Sequence, residues 1–212
     1  MLWLAVVVGF LAAGLALALV GYAPRMGYTL REPSEAESER LLGFWEDLGA
    51  PEADIRIRTT TREGAVECDL LGLPGRRTLV VSDAALEQLD DESLRALLAV
   101  EAERARSRIE IPQAASSGVA VGVITAAYVT PLPPLPAFLV GWAIVLGAIV
   151  LVRHQYYAAD AAAADKVGEA SLRDVIGTAA ELRGESFETG PRWRALFDVE
   201  PSVGARMERL EE

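Results

Sequence analysis

The sequence predicts a mainly helical α+β membrane protein. An N-terminal transmembrane helix and a later transmembrane hairpin would frame a cytoplasmic part of helices around a small antiparallel sheet. Three observations carry that expectation. Residues 1–24 and 111–152 contain no charged side chain, so all 31 acids and all 20 lysines and arginines lie elsewhere. Three short strand-like segments fall between residues 54 and 82, separated by Gly64, Gly72, Pro74 and Gly75. Apolar residues recur at helical spacing before, after and beyond them. With 51% hydrophobic residues among 212, the chain has ample apolar surface for one modest core.

The formal charge is −11, and Lys166 is the only lysine. Such a surface excludes a nucleic-acid binder that works by neutralising phosphates, which needs a basic face. Cys68 is the single cysteine, which excludes a disulfide scaffold and fits a reducing compartment. The apolar content excludes intrinsic disorder. Acid excess with arginine in place of lysine fits two origins equally, a halophile-like surface hydrated against salt or a GC-rich arginine codon bias.

Taken in order, residues 2–22 form an unbroken apolar run long enough to cross a bilayer as a helix. A cleaved signal peptide would begin with bases and have an apolar heart of ~7–15 residues. The first base here is Arg25, and the run is longer, so a retained anchor is expected. In the second uncharged stretch Pro131, Pro133, Pro134 and Pro136 interrupt any helix. Residues 113–130 and 137–152 then read as the two legs of a hairpin, each short enough to suit a thin bilayer. Gly118 and Gly122 form a small-xxx-small pair that permits close helix approach.

Arginines near the membrane set the orientation. Arg25 and Arg31 follow the first segment, Arg104, Arg106 and Arg108 precede the hairpin, and Arg153 follows it, whereas the N-terminus and the proline-rich tip have none. The expected topology is a multi-pass protein of the cell membrane with its soluble part in the cytoplasm. The chain divides accordingly into an anchor (1–24), a cytoplasmic segment (25–110), the hairpin (111–152) and a closing cytoplasmic segment (153–212).

In the cytoplasmic parts, 33–50 starts as a helix at a Ser34 cap and presents Leu41, Leu42, Phe44, Trp45 and Leu48 on one face. Segment 54–60 places Ile55 and Ile57 on one side, 65–71 alternates Val66, Cys68 and Leu70, and 78–82 is β-branched and apolar. Cys68 reads as a half-buried strand residue. Residues 91–110 form a helix capped by Asp90 or Asp91, with Leu94, Leu97, Leu98, Ala105 and Ile109 along one stripe. Glu101 completes that stripe, and a carboxylate on an apolar face needs a partner or a function. Arg104, three residues on, is the available partner. Residues 153–182 are alanine-rich and helical, ending near Gly184. The tail carries Trp193, Leu196, Phe197 and Pro201, then a short amphipathic helix that ends at Leu210.

This order of elements resembles the membrane-integrated zinc metallopeptidases of the HtpX heat-shock protease and CAAX prenyl protease type, from about Glu39 onward. The resemblance rests on the strand and turn Leu79-Val80-Val81-Ser82-Asp83-Ala84-Ala85-Leu86 and the helix start Leu89-Asp90-Asp91-Glu92. It extends to Tyr157-Ala158-Ala159-Asp160 after a hairpin, and to Leu196-Phe197, Pro201 and Arg206 near the end. It implies a zincin-like cytoplasmic domain, with zinc as the cofactor of the family. The family's helix carries H-E-x-x-H, which sets two histidines one turn apart on the metal beside a general-base glutamate. Here the pentapeptide is Val100-Glu101-Ala102-Glu103-Arg104. Glu101 keeps the general-base position, Val100 and Arg104 stand at the histidine positions, Tyr156 stands at the third ligand's, and Glu200-Pro201 replaces the terminal His-Pro.

Val100 has no donor atom and Arg104 keeps its proton, so no zinc is expected and Glu101 would be inert as a base. Arg104 would supply the missing positive charge to Glu101, with Asp160 and Arg206 as further candidates for structural pairing. The only histidine, His154, suggests a weak substitute set with Glu101 and Asp160; an interfacial histidine is the plainer reading. In the family, substrate adds as a strand to the sheet edge, here near residues 65–70, although Gly64-Ala65 replaces the expected Asn-Ala. The resulting expectation is a membrane-anchored, metallopeptidase-like protein without activity that binds or regulates a partner. That partner would be a membrane-protein substrate or an active peptidase homologue, alongside the lipid bilayer. The alternatives are an active zinc endopeptidase with an atypical metal site, and a structural membrane protein unrelated to peptidases. The last predicts no packing of the Glu101 helix against the Asp160 helix.

Overall fold

The structure, a computed structural model, describes Val8 and residues 29–59, 65–72, 74–107, 134–184 and 200–211. Apart from Val8, the expected anchor (2–22) lies outside the described residues, as do the first hairpin leg (113–130) and the segment with Trp193, Leu196 and Phe197. Four strands are described: β1 (Leu30–Arg31), β2 (Asp54–Arg58), β3 (Cys68–Leu71) and β4 (Thr78–Ser82). Six helices accompany them: α1 (Glu35–Asp47), α2 (Asp83–Gln88), α3 (Asp91–Ser107), α4 (Pro134–Val167), α5 (Glu169–Arg183) and α6 (Val203–Leu210).

The sheet is mixed, which corrects the antiparallel expectation. Its order is β1-β2-β4-β3, with β2 and β4 parallel and both outer pairs antiparallel. Alternation tells which face of a strand is buried, and is silent on which strand lies beside it. Strand β4 is central and buried along its whole length, as its continuous apolar and β-branched composition requires. Strand β2 buries Ile55 and Ile57 on one face. The two-residue β1 is too short for any periodic signal; the bidentate bond of Arg31 to Glu37, with both contacts at 2.7 Å, ties it to α1.

Local chemistry accounts for the helix starts. Ser34 and Glu37 form a reciprocal capping box on α1. Asp90 accepts from the Ser93 N–H at 2.8 Å to open α3, and Ser82 accepts from Ala85 N–H at 3.1 Å to open the short α2. At the other end of α1, the carbonyls of Leu48 and Gly49 accept from Lys166 Nζ at 3.1 Å and Arg106 Nη2 at 2.7 Å. Two cations from α4 and α3 thus close the negative end of α1. The core lies between sheet and helices, around Leu41, Ile57, Leu79, Leu94, Leu98 and Leu172.

Helix α4 runs across the expected boundary between hairpin and closing segment at 152/153. It runs unbroken for 34 residues, because nothing between Val152 and Arg153 disfavours helix. The break comes instead at Gly168, whose φ of 91° suits glycine, and α5 ends as expected at Gly184 in the left-handed region. The part Leu139–Val167 is long and apolar enough to cross a membrane. Along α4, Ile149, Val152, Ala159, Asp160 and Ala163 form one buried stripe, while Leu139, Trp142, Leu146, Val150 and Leu151 are exposed. The stripe faces α3, whose Ala99, Ala102 and Ala105 are buried and let the two helices pack closely.

The turn between β3 and β4 generates a prediction. A Cβ at Gly72, where φ is 100°, would collide with the Arg76 carbonyl, whereas one at Gly75, φ 84°, would meet nothing within 4 Å. Gly72→Ala is expected to destabilise by about 2–3 kcal/mol and Gly75→Ala by about 1 kcal/mol. Thermal unfolding of the two variants checks the order.

Candidate functional site

The centre is assembled from α3, α4 and the residues that lead into α6. Glu101 sits on the inward face of α3 among alanines and leucines and is 5% exposed. One turn on, Arg104 donates from Nη1 to Glu101 Oε1 at 2.7 Å and from Nη2 to Glu200 Oε1 at 3.3 Å. Its guanidinium carbon lies 4.5 Å from the centroid of the Tyr156 ring, in cation–π contact. Its Nε is buried with no acceptor among the described residues. A second buried pair stands beside it. Arg206 Nε and Nη2 each contact an oxygen of Asp160 at 2.8 Å, with Asp160 2% and Arg206 7% exposed. This bidentate fork joins α6 to α4.

Electrostatics at the centre are uneven. Burial pushes the Glu101 carboxyl up to about 7; Arg104 works against that, while Asp69 and Glu200 add to it. Arg104 experiences burial as a penalty, yet Glu101, Glu200 and neighbours together raise its pKa further. One guanidinium gains from two carboxylates, whereas Glu101 also feels the repulsion of Glu200. On β3, burial pushes the Cys68 thiol well above its ordinary range, so the thiolate is suppressed.

The structure therefore brings together Glu101, Arg104 and Tyr156, and pairs Asp160 with Arg206. Val100 packs in the apolar core. His154 is exposed on another face of α4 and does not join Glu101, and both oxygens of Asp160 are engaged by Arg206. Glu200 was foreseen only as the residue in place of a histidine; its role as second partner to Arg104 spans 96 residues, and no local spacing signals it. Strand β3 is an edge of the sheet among the described residues and packs beside α3.

These residues do not fit zinc. Val100 offers no donor, Arg104 is a permanent cation bonded to Glu101, and that cation lies over the Tyr156 ring. Among the described residues no three His, Cys, Asp or Glu side chains converge on a point that would hold a metal ion.

The fold and this centre define a class: an α+β protein in which a carboxylate-bearing helix packs beside a small sheet and against a helix able to cross a membrane. Among solved structures, the crystal structure of Ste24p from S. mikatae has this fold, with a TM-score of 0.67 at 15% identity. The match covers 95% of this chain and 56% of that one, so the chain spans about half the length of the structure it resembles. No protein-family model and no curated protein matches the chain.

Two predictions follow from the geometry. Glu101 binds its proton more tightly in the folded chain, at about 7, than at its ordinary 4.5. Its stabilising contribution is therefore complete below about pH 4.5 and lost as the pH rises through about 7, an effect on the order of 3 kcal/mol. Unfolding measured from pH 5 to 8 should show this decline in the parent and a flatter profile in Glu101→Gln. Arg104→Ala leaves Glu101 buried without its cation and is expected to cost about 3–5 kcal/mol at pH 8, less at pH 5 where Glu101 takes up a proton. An unchanged melting temperature would count against the pairing.

Proposed function

We propose that this chain is a metallopeptidase-like membrane protein whose hydrolytic centre has been replaced by an arginine–carboxylate cluster, and that it binds or regulates a partner. The observation that carries this reading is the position of Arg104, bonded to both Glu101 and Glu200. In a zinc peptidase the ion brings the pKa of bound water from 15.7 to about 7, and the neighbouring glutamate takes the proton. A guanidinium supplies charge without an open coordination position, so Glu101 has a counter-ion and no water made acidic by a metal. The cluster acts as a clasp that holds α3, α4 and the approach to α6 together.

The likeness in fold to Ste24p, a CAAX prenyl protease, supports the metallopeptidase-like part of the reading. The close packing of α3 on α4 weighs against a structural membrane protein without peptidase ancestry, which predicts no such contact. Under this reading the protein is anchored at the cell membrane by several helices with its soluble part in the cytoplasm. It engages a membrane-protein substrate or an active peptidase homologue there, with the β3 edge as the candidate contact surface.

Metal analysis and a cleavage assay test the proposal. Protein purified in detergent without added zinc is expected to carry far less than one zinc per chain and to leave casein intact, with Glu101→Gln indistinguishable from the parent. Stoichiometric zinc, with cleavage abolished both by chelation and by Glu101→Gln, would establish an active peptidase with an atypical site instead.

A further inference from the structure

The approach to α6, residues 200–202, is fastened to the rest of the protein at two points of unequal strength. The firm point lies just beyond it, where Arg206 forks onto Asp160 and both side chains are buried. The weak point is Glu200, whose side chain is 58% exposed and meets Arg104 in one contact at 3.3 Å. Between the two, Ser202 opens α6. Its hydroxyl accepts from Ala205 N–H at 3.3 Å, and its carbonyl accepts from Arg206 N–H at 3.0 Å. Water already reaches Glu200, so its carboxylate can let go of Arg104 at little cost while the fork keeps α6 docked.

The charges around Glu101 and Arg104 do not balance. Strand β3 contributes Asp69 and the Cys68 thiol, α4 contributes Tyr156 and Asp160, the approach to α6 contributes Glu200, and α6 contributes Arg206. Arg206 is engaged by both oxygens of Asp160, and Asp69 has Arg58 at 3.9 Å. Arg104 is left to neutralise Glu101 and Glu200 together. One carboxylate is in excess, and a proton removes the excess. Glu101 takes it, because a site 5% exposed penalises charge far more than the exposed position of Glu200. With Glu101 neutral, the charge of Arg104 serves Glu200 alone and the contact tightens. With Glu101 ionised, the guanidinium is drawn to the deeper carboxylate, Glu200 is repelled and the contact slackens. Reciprocity demands the same sign: Glu200 raises the proton affinity of Glu101, so a bound proton must strengthen the hold on Glu200.

We propose that residues 200–202 form a pH-operated latch on this centre, closed when Glu101 carries a proton and released when Glu101 is ionised. The change falls around neutrality, where burial sets the Glu101 carboxyl. The latch rests on the reading of the centre as free of zinc and adds a direction to it: the centre is closed in acid and opens in mild alkali.

Amide hydrogen exchange of Ala205 and Arg206 tests this, since both N–H groups are held by Ser202 and lose protection when the latch lets go. The full chain in detergent is exchanged at about pH 5 and about pH 8, and each rate is divided by the intrinsic rate at that pH. The buried Val175 and Ile176 of α5 supply the baseline for global unfolding. Relative to that baseline, opening at Ala205 and Arg206 in the parent should be about three- to fivefold greater at the higher pH, the scale of one partly exposed ion pair. Glu101→Gln, neutral at both pH values, should keep the closed level throughout. Glu200→Gln, a change at an exposed side chain, should show the open level at both. Opening that is independent of pH in the parent, or greater in acid, would overturn the latch, as would a pH response that survives in Glu200→Gln. Zinc measured on the same preparation keeps the two proposals apart: stoichiometric zinc overturns both, whereas a flat response in zinc-free protein overturns the latch alone.

Discussion

A carboxylate has been placed on the apolar face of a helix that is otherwise packed with leucine and alanine, and much of the architecture answers that placement. Glu101 is buried where its charged form is penalised, and the nearest remedy is the guanidinium one turn along the same helix. Arg104 in turn has more N–H donors than its single bond to Glu101 uses. It draws in Glu200 from the segment before α6 and lies over the ring of Tyr156 on α4. The need to neutralise one side chain thereby gathers three parts of the chain that are far apart in sequence.

The Asp160–Arg206 fork repeats this logic on the next face. It is fully engaged and buried, so α6 docks in one orientation, with Arg206 inward and Glu208 and Arg209 outward. Further along the same two helices Glu103 accepts from Lys166 at 2.8 Å and pairs with Arg106, while both cations also bond the carbonyls that follow α1. Buried charges are poor sources of net stability compared with apolar packing, but they discriminate strongly between arrangements. Here they set the relative placement of helices whose contact surfaces are largely alanine, and which would otherwise slide with little loss of packing.

The same centre separates scaffold from chemistry. The helix, the edge strand and the long apolar neighbour share the fold of Ste24p, and the polar atoms gathered at the centre are an arginine's hydrogens where a metal requires lone pairs. The guanidinium gives the carboxylate beside it a counter-ion and offers a water no Lewis acid.

The sequence alone determined the helix caps, the three longer strands, the apolar faces and the need of Glu101 for a cation, because each depends on neighbours within a turn or on strict alternation. That Val100 and Arg104 offer no lone pair to a metal was equally legible, since donor chemistry belongs to residue type. Tertiary structure decided the rest. The parallel pairing of β2 with β4, the passage of α4 through Arg153 without a break, the recruitment of Glu200 and the isolation of His154 from the centre all depend on which distant surfaces meet. Local periodicity carries no term for such meetings; they are selected by burying apolar area while leaving no charge inside without its opposite.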